Sequence, residues 1–351
     1  MLIKIADPLF QTVLFSAVFL SLLLLSIRKT KEESLFSKEV TNQLKGLAIL
    51  AIIFSHIGYF LSADTRFLYP FSVLAGVGVN LFLFLSGFGL TVSQLKSPLS
   101  PFVFYKKRLF KLFAPLWLII SMILILDNLV LSRTYPYSET FFSFLGFYPR
   151  ADLFQNLNPP LWYFSIILFL YLIFPLTFIK RIYWVAPVLV LLLSLFMLDL
   201  SLPVDPDVLK LYKLHTIAFP LGMFFGLIIH KFKFKLNGIL KPLILIAATL
   251  IFLYTAINSG VGEGPKIEQG ISLVTALSAV AMFSLLKFNF KLLSVFGIYS
   301  YEIYMLHWPI LSRFNLFLGL PPFLMVSLNL LLFILLGITV QKITANIISR
   351  A

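Results

Sequence analysis

Long apolar runs separated by short polar breaks extend along the whole chain. Runs of about 17 to 25 residues are long enough to cross a bilayer, at about 1.5 Å of helical rise per residue and a hydrocarbon core of roughly 30 Å. About eleven occur: 8 to 27, 45 to 61, 71 to 95, 112 to 131, 160 to 179, 182 to 198, 214 to 230, 239 to 258, 268 to 286, 293 to 311 and 322 to 345. The pattern predicts an all-α, polytopic membrane protein with about eleven transmembrane helices. Composition agrees: 60% of residues are hydrophobic and 12% are charged, with mean hydropathy +0.99, against about 25% charged in soluble domains.

The polar breaks carry the topology. If the break after the first run is cytoplasmic, the alternate breaks 28 to 45, 96 to 111, 180 to 181, 231 to 241 and 287 to 291, with the tail, hold 20 of the 28 Lys and Arg. This bias places the N-terminus outside and the C-terminus inside a cell membrane. It also absorbs most of the net charge of +14, which in a soluble chain would suggest nucleic acid. The run Pro8 to Ile27 lacks a basic n-region and is followed by Arg28, Lys29 and Lys31 instead of a small-residue cleavage site, so it reads as a retained helix. Residues 31 to 45 mix charge with Leu35, Phe36, Val40 and Leu44, the pattern of a short amphipathic helix on the membrane surface. Asn158-Pro159-Pro160 punctuates a helix start before Leu161 and Trp162. No internal repeat or soluble domain is evident.

Chemistry enters through the few ionisable side chains inside apolar runs. Such groups cost roughly 2.5 to 3.5 kcal/mol on insertion scales when charged and mark pathways or reacting centres. His56 and His307 are two of them. Lys45 lies eleven residues before His56, which puts both on one helix face with His56 about 16 Å deeper. Ser300, Tyr304, His307 and Leu311 form an i, i+4, i+7, i+11 stripe. Glu302 points about 140° from His307 and is expected to pair with a basic or hydroxyl group on another helix. Gly76, Gly78, Asn80, Ser86, Gly87 and Gly89 suit close helix packing. Lys106, Lys107, Arg108 and Lys111 within six residues make an anion site or a lipid-facing run. His215 and His230 fall near helix ends, where histidine is cheap. Cysteine is absent, which excludes disulfides and thiolate catalysis. No spacing matches a metal motif or a Gly-rich phosphate loop.

Taken in order, KGLAILAIIFSH from Lys45 to His56, GVGVNLFLFLSGFGL, FYKKRLFKLFAPLW, LWYFSIILFLYLIFPL and FGIYSYEIYMLHWPI resemble the type-3 membrane acyltransferase family, which O-acylates cell-surface glycans and related molecules. The chain departs from the pattern in several places. Lys45 and Lys111 stand where arginine is expected, keeping charge but losing the planar fork. Ile166, Ile167 and Leu168 occupy a region where many relatives carry glutamate, a role that passes, if anywhere, to Glu302. The resemblance implies an extra N-terminal helix and basic loop over residues 1–44 and a membrane acyltransferase core over 45–351; the C-terminal hydrolase-like domain that some relatives carry is not expected here.

It further implies acetyl-CoA or another acyl-CoA as donor, with no permanently bound cofactor, and a carbohydrate or other hydroxyl acceptor on the outer side. Lys45, Arg108 and Lys111 would hold the donor's phosphates at one basic mouth. The glycines of the third run would let the pantetheine arm pass. His56 would act as general base, or as nucleophile through an acyl-histidine, while Ser300, Tyr301, Tyr304, His307 or Glu302 would form the site wall. Two other classes remain at this level: a glycan or lipid-precursor transporter with a histidine proton relay, and a non-catalytic scaffold in surface-polymer assembly.

Overall fold

Proline and serine set the helix starts. Pro8, Pro101 and Pro206 each lie in the first turn of a helix, where a missing N–H costs nothing. Ser37 caps another, its Oγ accepting from Val40 N at 3.2 Å. The computed structural model describes residues 2–29, 36–179, 181–232, 238–260, 265–286 and 288–350. In chain order the helices are α1 (Pro8–Leu25), α2 (Lys38–Ser55), α3 (Ala75–Lys96), α4 (Pro101–Leu131), α5 (Tyr137–Phe144), α6 (Trp162–Thr177) and α7 (Ala186–Asp199). They continue with α8 (Pro206–His215), α9 (Ala218–Lys231), α10 (Leu240–Asn258), α11 (Pro265–Leu285), α12 (Lys291–Ile298), α13 (Ser300–Pro309) and α14 (Pro322–Arg350). A π-helical turn, His56–Leu61, prolongs α2, and another, Ile310–Phe314, prolongs α13. The protein is an all-α, multi-pass membrane protein.

Nine helical segments among the described residues are long and apolar enough to cross a membrane, α8 and α9 counting together as Pro206–Lys231. The other two predicted runs form shorter pieces. Residues 182 to 198 yield the 14-residue α7. Residues 293 to 311 break into α12 and α13 at Tyr299.

Two expectations near the basic breaks are corrected. The amphipathic surface helix over 31 to 45 falls partly outside the described residues, at 31–35. From Lys38 onward, that stretch is the opening of α2, with Val40 and Leu44 buried, so its apolar side packs inward instead of lying on lipid. The basic segment 104 to 111 is not a loop but the first turns of the 31-residue α4.

Inter-loop contacts sort the polar segments into two ends. At one end, Ile27–Lys29 pairs antiparallel with Phe288–Phe290, and Asn289 Nδ2 donates to Glu39 at 2.8 Å. Phe36 packs on Phe88 and Phe225. At the other end, Ile3 bridges Ser62, Asp205 N donates to Pro149 O at 2.9 Å, and Gln269 reaches Lys213 O at 2.9 Å. The first group belongs to the breaks rich in Lys and Arg, and the second to the opposite set. We call these the basic end and the far end.

The helices that carry the histidines approach with backbones almost touching. A Cβ on Gly46 of α2 would collide with the Leu293 backbone of α12, and one on Gly297 of α12 with the Asn42 backbone of α2. Reciprocal glycines of this kind let two helices share a closer axis than larger residues permit. The α12–α13 unit is thereby registered against α2, and His307 meets His56.

Candidate active site

At His56 the helix widens from α to π geometry, with Ser62 N donating to Ile57 O at 3.0 Å. Such turns recur at functional sites because the bulge re-aims side chains. His56 Nδ1 lies 2.6 Å from His307 Nε2. The ring planes are within 8° and the centroids 4.8 Å apart. A nitrogen contact that short between centroids that far apart is an edge-to-edge bond in nearly one plane, not face stacking. Both rings are buried, His56 8% exposed and His307 not at all.

The neighbours fix where the protons are. His307 Nδ1 faces the carbonyls of Tyr304 at 2.7 Å and Ile303 at 3.3 Å. Carbonyls only accept, so Nδ1 carries the proton and neutral His307 presents a lone pair at Nε2. His56 Nδ1 must then be the donor of the 2.6 Å bond, and in the neutral ring Nε2 is left as a bare acceptor. Among the described residues no protein group bonds Nε2. Trp308 and Phe60 pack against the His56 ring at 5.0 and 5.6 Å, and hold its orientation.

His56 is the member of the pair that reaches a cavity of about 600 Å³, within the usual range for small-molecule sites. Its wall includes Tyr304, Gly76, Trp162 and His215, and Asp207, Lys210 and Glu268 at the far end. At the basic end, Arg108 and Lys111, one turn apart on α4, line a second pocket with Ser93 and Ser97. Arg108 Nη2 donates to Ser93 Oγ at 3.1 Å. Along α3, Ser93 in this pocket and Val79 in the first are about 21 Å apart by helix rise. Lys45 is not among the residues lining that second pocket; it lies half-buried on α2. Of the three cations expected at one mouth, Arg108 and Lys111 line this pocket and Lys45 does not.

The expected wall residues separate too. Tyr304 lines the cavity, but its hydroxyl donates to Pro160 O. Tyr301 OH is spent on Leu112 O at 2.7 Å, and Ser300 Oγ on Gly297 O at 3.0 Å. These hydroxyl protons close helix ends and interhelical gaps. Glu302 is buried with its Oε2 unpartnered among the described residues, while the Gln341 amide of α14 donates to Ile298 O at 3.3 Å, so the basic or hydroxyl partner expected for this carboxyl is not seen. It does not line the cavity.

Two features escaped the sequence. His215, expected only as a helix-end residue, is 4% exposed and forms part of the cavity wall, bonded to Asn80 at 2.8 Å. Lone Asn80 inside an apolar run was the available signal. The other is a buried ion pair between Arg313 and Asp127. Tyr135 OH donates to Asp127 Oδ2 at 2.6 Å, and Arg313 Nη1 to Tyr135 OH at 2.7 Å. Burial, helped by that carboxylate, pushes the Tyr135 phenol well up, so it remains a donor. Arg313 follows directly on α13, and the pair moors the His307 helix to α4. Among the described residues no cluster of His, Cys, Asp or Glu could hold a metal ion.

Comparison with curated proteins and with solved structures returned no match. A family model described as an acyltransferase domain matches residues 41–340, most of the chain and both histidines of the pair. The protein belongs to the type-3 acyltransferase family and is an integral-membrane acyltransferase.

Proposed function

We propose that the protein transfers an acyl group, acetyl from acetyl-CoA in the simplest case, to a hydroxyl of a glycan or related cell-envelope acceptor, with His56 as general base. The observation that carries this reading is the His56–His307 hydrogen bond, whose proton arrangement leaves His56 Nε2 unprotonated at a cavity. The basic end faces the cytoplasm in this reading, following the Lys and Arg bias of a plasma-membrane protein. Arg108 and Lys111 receive the phosphates of coenzyme A there through charge-assisted bonds, and Lys45 adds a cation on the His56 face of α2. The acceptor enters the cavity from the far end.

His56 Nε2 takes the acceptor's hydroxyl proton as its oxygen attacks the thioester carbonyl. The tetrahedral intermediate expels coenzyme A thiolate, which recovers the proton from His56. The imidazolium that exists between these steps keeps its Nδ1–H on the His307 lone pair, as a triad's third member steadies its histidine. General-base help of this type contributes about 10² to 10⁴ in rate. Ester and free coenzyme A are the products, and the protein returns to its starting state.

The test is purified protein with radiolabelled acetyl-CoA and carbohydrate acceptors, followed by thiol release and product mass. Label in the acceptor, with none trapped on the protein in a rapid quench, is expected. Label on His56 would replace the general base by an acyl-histidine; no thiol release with any hydroxyl acceptor or with hydroxylamine would overturn the reading.

A further inference from the structure

The cavity has a second polar station whose proton arrangement is as fully determined as that of the His56 pair. Ser272 Oγ of α11 donates to Gln269 O at 3.3 Å. Since that carbonyl can only accept, the serine oxygen is left to accept from Asn80 Nδ2 of α3, 3.0 Å away. The amide is thereby oriented with Oδ1 toward His215 Nδ1 at 2.8 Å. An amide oxygen accepts, so His215 Nδ1 donates, and in the neutral ring His215 Nε2 is bare. All three residues are buried, with Asn80 1%, Ser272 3% and His215 4% exposed. Three helices contribute one side chain each, at a cost that apolar packing would avoid.

Position makes this more than interhelical glue. His215 and Ser272 line the same cavity as His56. The ring of His215 lies flat against Trp162, with centroids 5.8 Å apart and planes within 18°. Gly76 lines the cavity beside them: a Cβ there would sit in ordinary contact with Ser272 Cβ at 3.6 Å and His215 Cε1 at 3.8 Å, and the glycine puts no side chain against either. Among the described residues no protein group bonds His215 Nε2.

We infer that His215, its lone pair fixed by Asn80 and Ser272, is a specificity-determining residue that accepts a hydrogen bond from a second hydroxyl of the acceptor. This rests on the acyltransferase reading and deepens it. The acceptor is a polyol such as a sugar residue: one hydroxyl gives its proton to His56 Nε2, and another donates to His215 Nε2. A mono-alcohol satisfies the first station and leaves the second dry and unpaired, the arrangement by which buried polar groups discriminate between substrates.

The test measures kcat/KM for transfer from acetyl-CoA to glycerol, methyl glucopyranoside and 1-propanol, with thiol release to hydroxylamine as the control for acyl transfer itself. Wild type is expected to prefer both polyols over 1-propanol. His215→Phe, which keeps a ring against Trp162, is expected to reduce that ratio about three- to tenfold, the worth of one neutral hydrogen bond. His215→Gln, which restores an acceptor oxygen, should recover part of it. If His215→Phe does not fold, Ser272→Ala replaces it: freeing the Asn80 amide to turn should narrow the same ratio. A wild type without polyol preference, or variants that lower all three acceptors in proportion, overturns the inference. So does a wild type that acylates hydroxylamine but neither polyol. Absence of thiol release to hydroxylamine and to every alcohol would instead fault the acyltransferase mechanism.

Discussion

His307 Nε2 accepts from His56 Nδ1 at 2.6 Å, and the direction of that bond is dictated three residues earlier in the chain by the Tyr304 carbonyl. A backbone acceptor on α13 thus decides which nitrogen of a ring on the neighbouring helix is basic. In the proposed mechanism His307 is a positioning residue; of the two histidines, His56 is the one that lines the cavity.

Removing the acceptor should therefore damage chemistry and spare binding. His307→Leu is expected to lower kcat about 10² to 10⁴-fold, with KM for acetyl-CoA within about twofold of wild type, a margin of roughly 0.4 kcal/mol. His307→Gln, which offers an oxygen to His56 Nδ1, should recover part of kcat. Steady-state kinetics on both variants decide this. A rise in KM without loss of kcat would make His307 a substrate-binding residue.

Donor binding should depend on the pocket at the basic end. Arg108→Gln is expected to raise KM for acetyl-CoA about tenfold or more, from the roughly 1.5–3 kcal/mol typical of charge-assisted bonds. Arg108→Lys should recover only part, because the fork that also holds Ser93 is lost. Added salt should raise wild-type KM more than that of Arg108→Gln. Unchanged KM in Arg108→Gln would remove the phosphates from this pocket.

The Asp127–Arg313 pair supplies a stability prediction. Asp127→Ala strands a buried guanidinium and is expected to cost about 3–5 kcal/mol, a large share of a typical folding free energy of about 5–15 kcal/mol. Asp127→Leu combined with Arg313→Met should cost less than Asp127→Ala alone. Thermal unfolding in detergent measures both. Equal losses would show that the pair is not coupled.

Glycines give a paired test of the fold. Gly297→Ala drives a methyl into the Asn42 backbone and should lower the unfolding temperature and activity together. Gly89→Ala, in an α3 position with nothing within 4 Å of its Cβ, should leave the temperature unchanged or raise it, since Ala exceeds Gly in helix propensity by about 1 kcal/mol. Indistinguishable variants would contradict the close α2–α12 approach.

The apolar runs made the helices legible, because burying an unpaired backbone in lipid leaves few alternatives. Length thresholds misjudged α7 and the α12–α13 break, where Tyr299 leaves helical geometry inside an unbroken apolar stretch. Charge marks 104–111 as part of a polar break, yet charged residues are tolerated in the first turns of a helix that continues into the membrane. At the site, His56 stood out by cost alone, and so did His307. Their contact did not, since it joins residues 251 positions apart through packing at Gly46 and Gly297 that no local pattern encodes. His215 was discounted as a helix-end residue. Its end of α8 is covered by α3 and α11, and burial there depends on neighbours that helix periodicity cannot identify.

The measurement closest to the central claim is single-turnover transfer from radiolabelled acetyl-CoA, comparing wild type with His56→Ala at matched thermal stability. Loss of about 10² to 10⁴ in the rate of acyl transfer, with acetyl-CoA still bound at wild-type affinity, is the predicted result. Full transfer by a folded His56→Ala protein would contradict it, and with it the assignment of His56 Nε2 as the base.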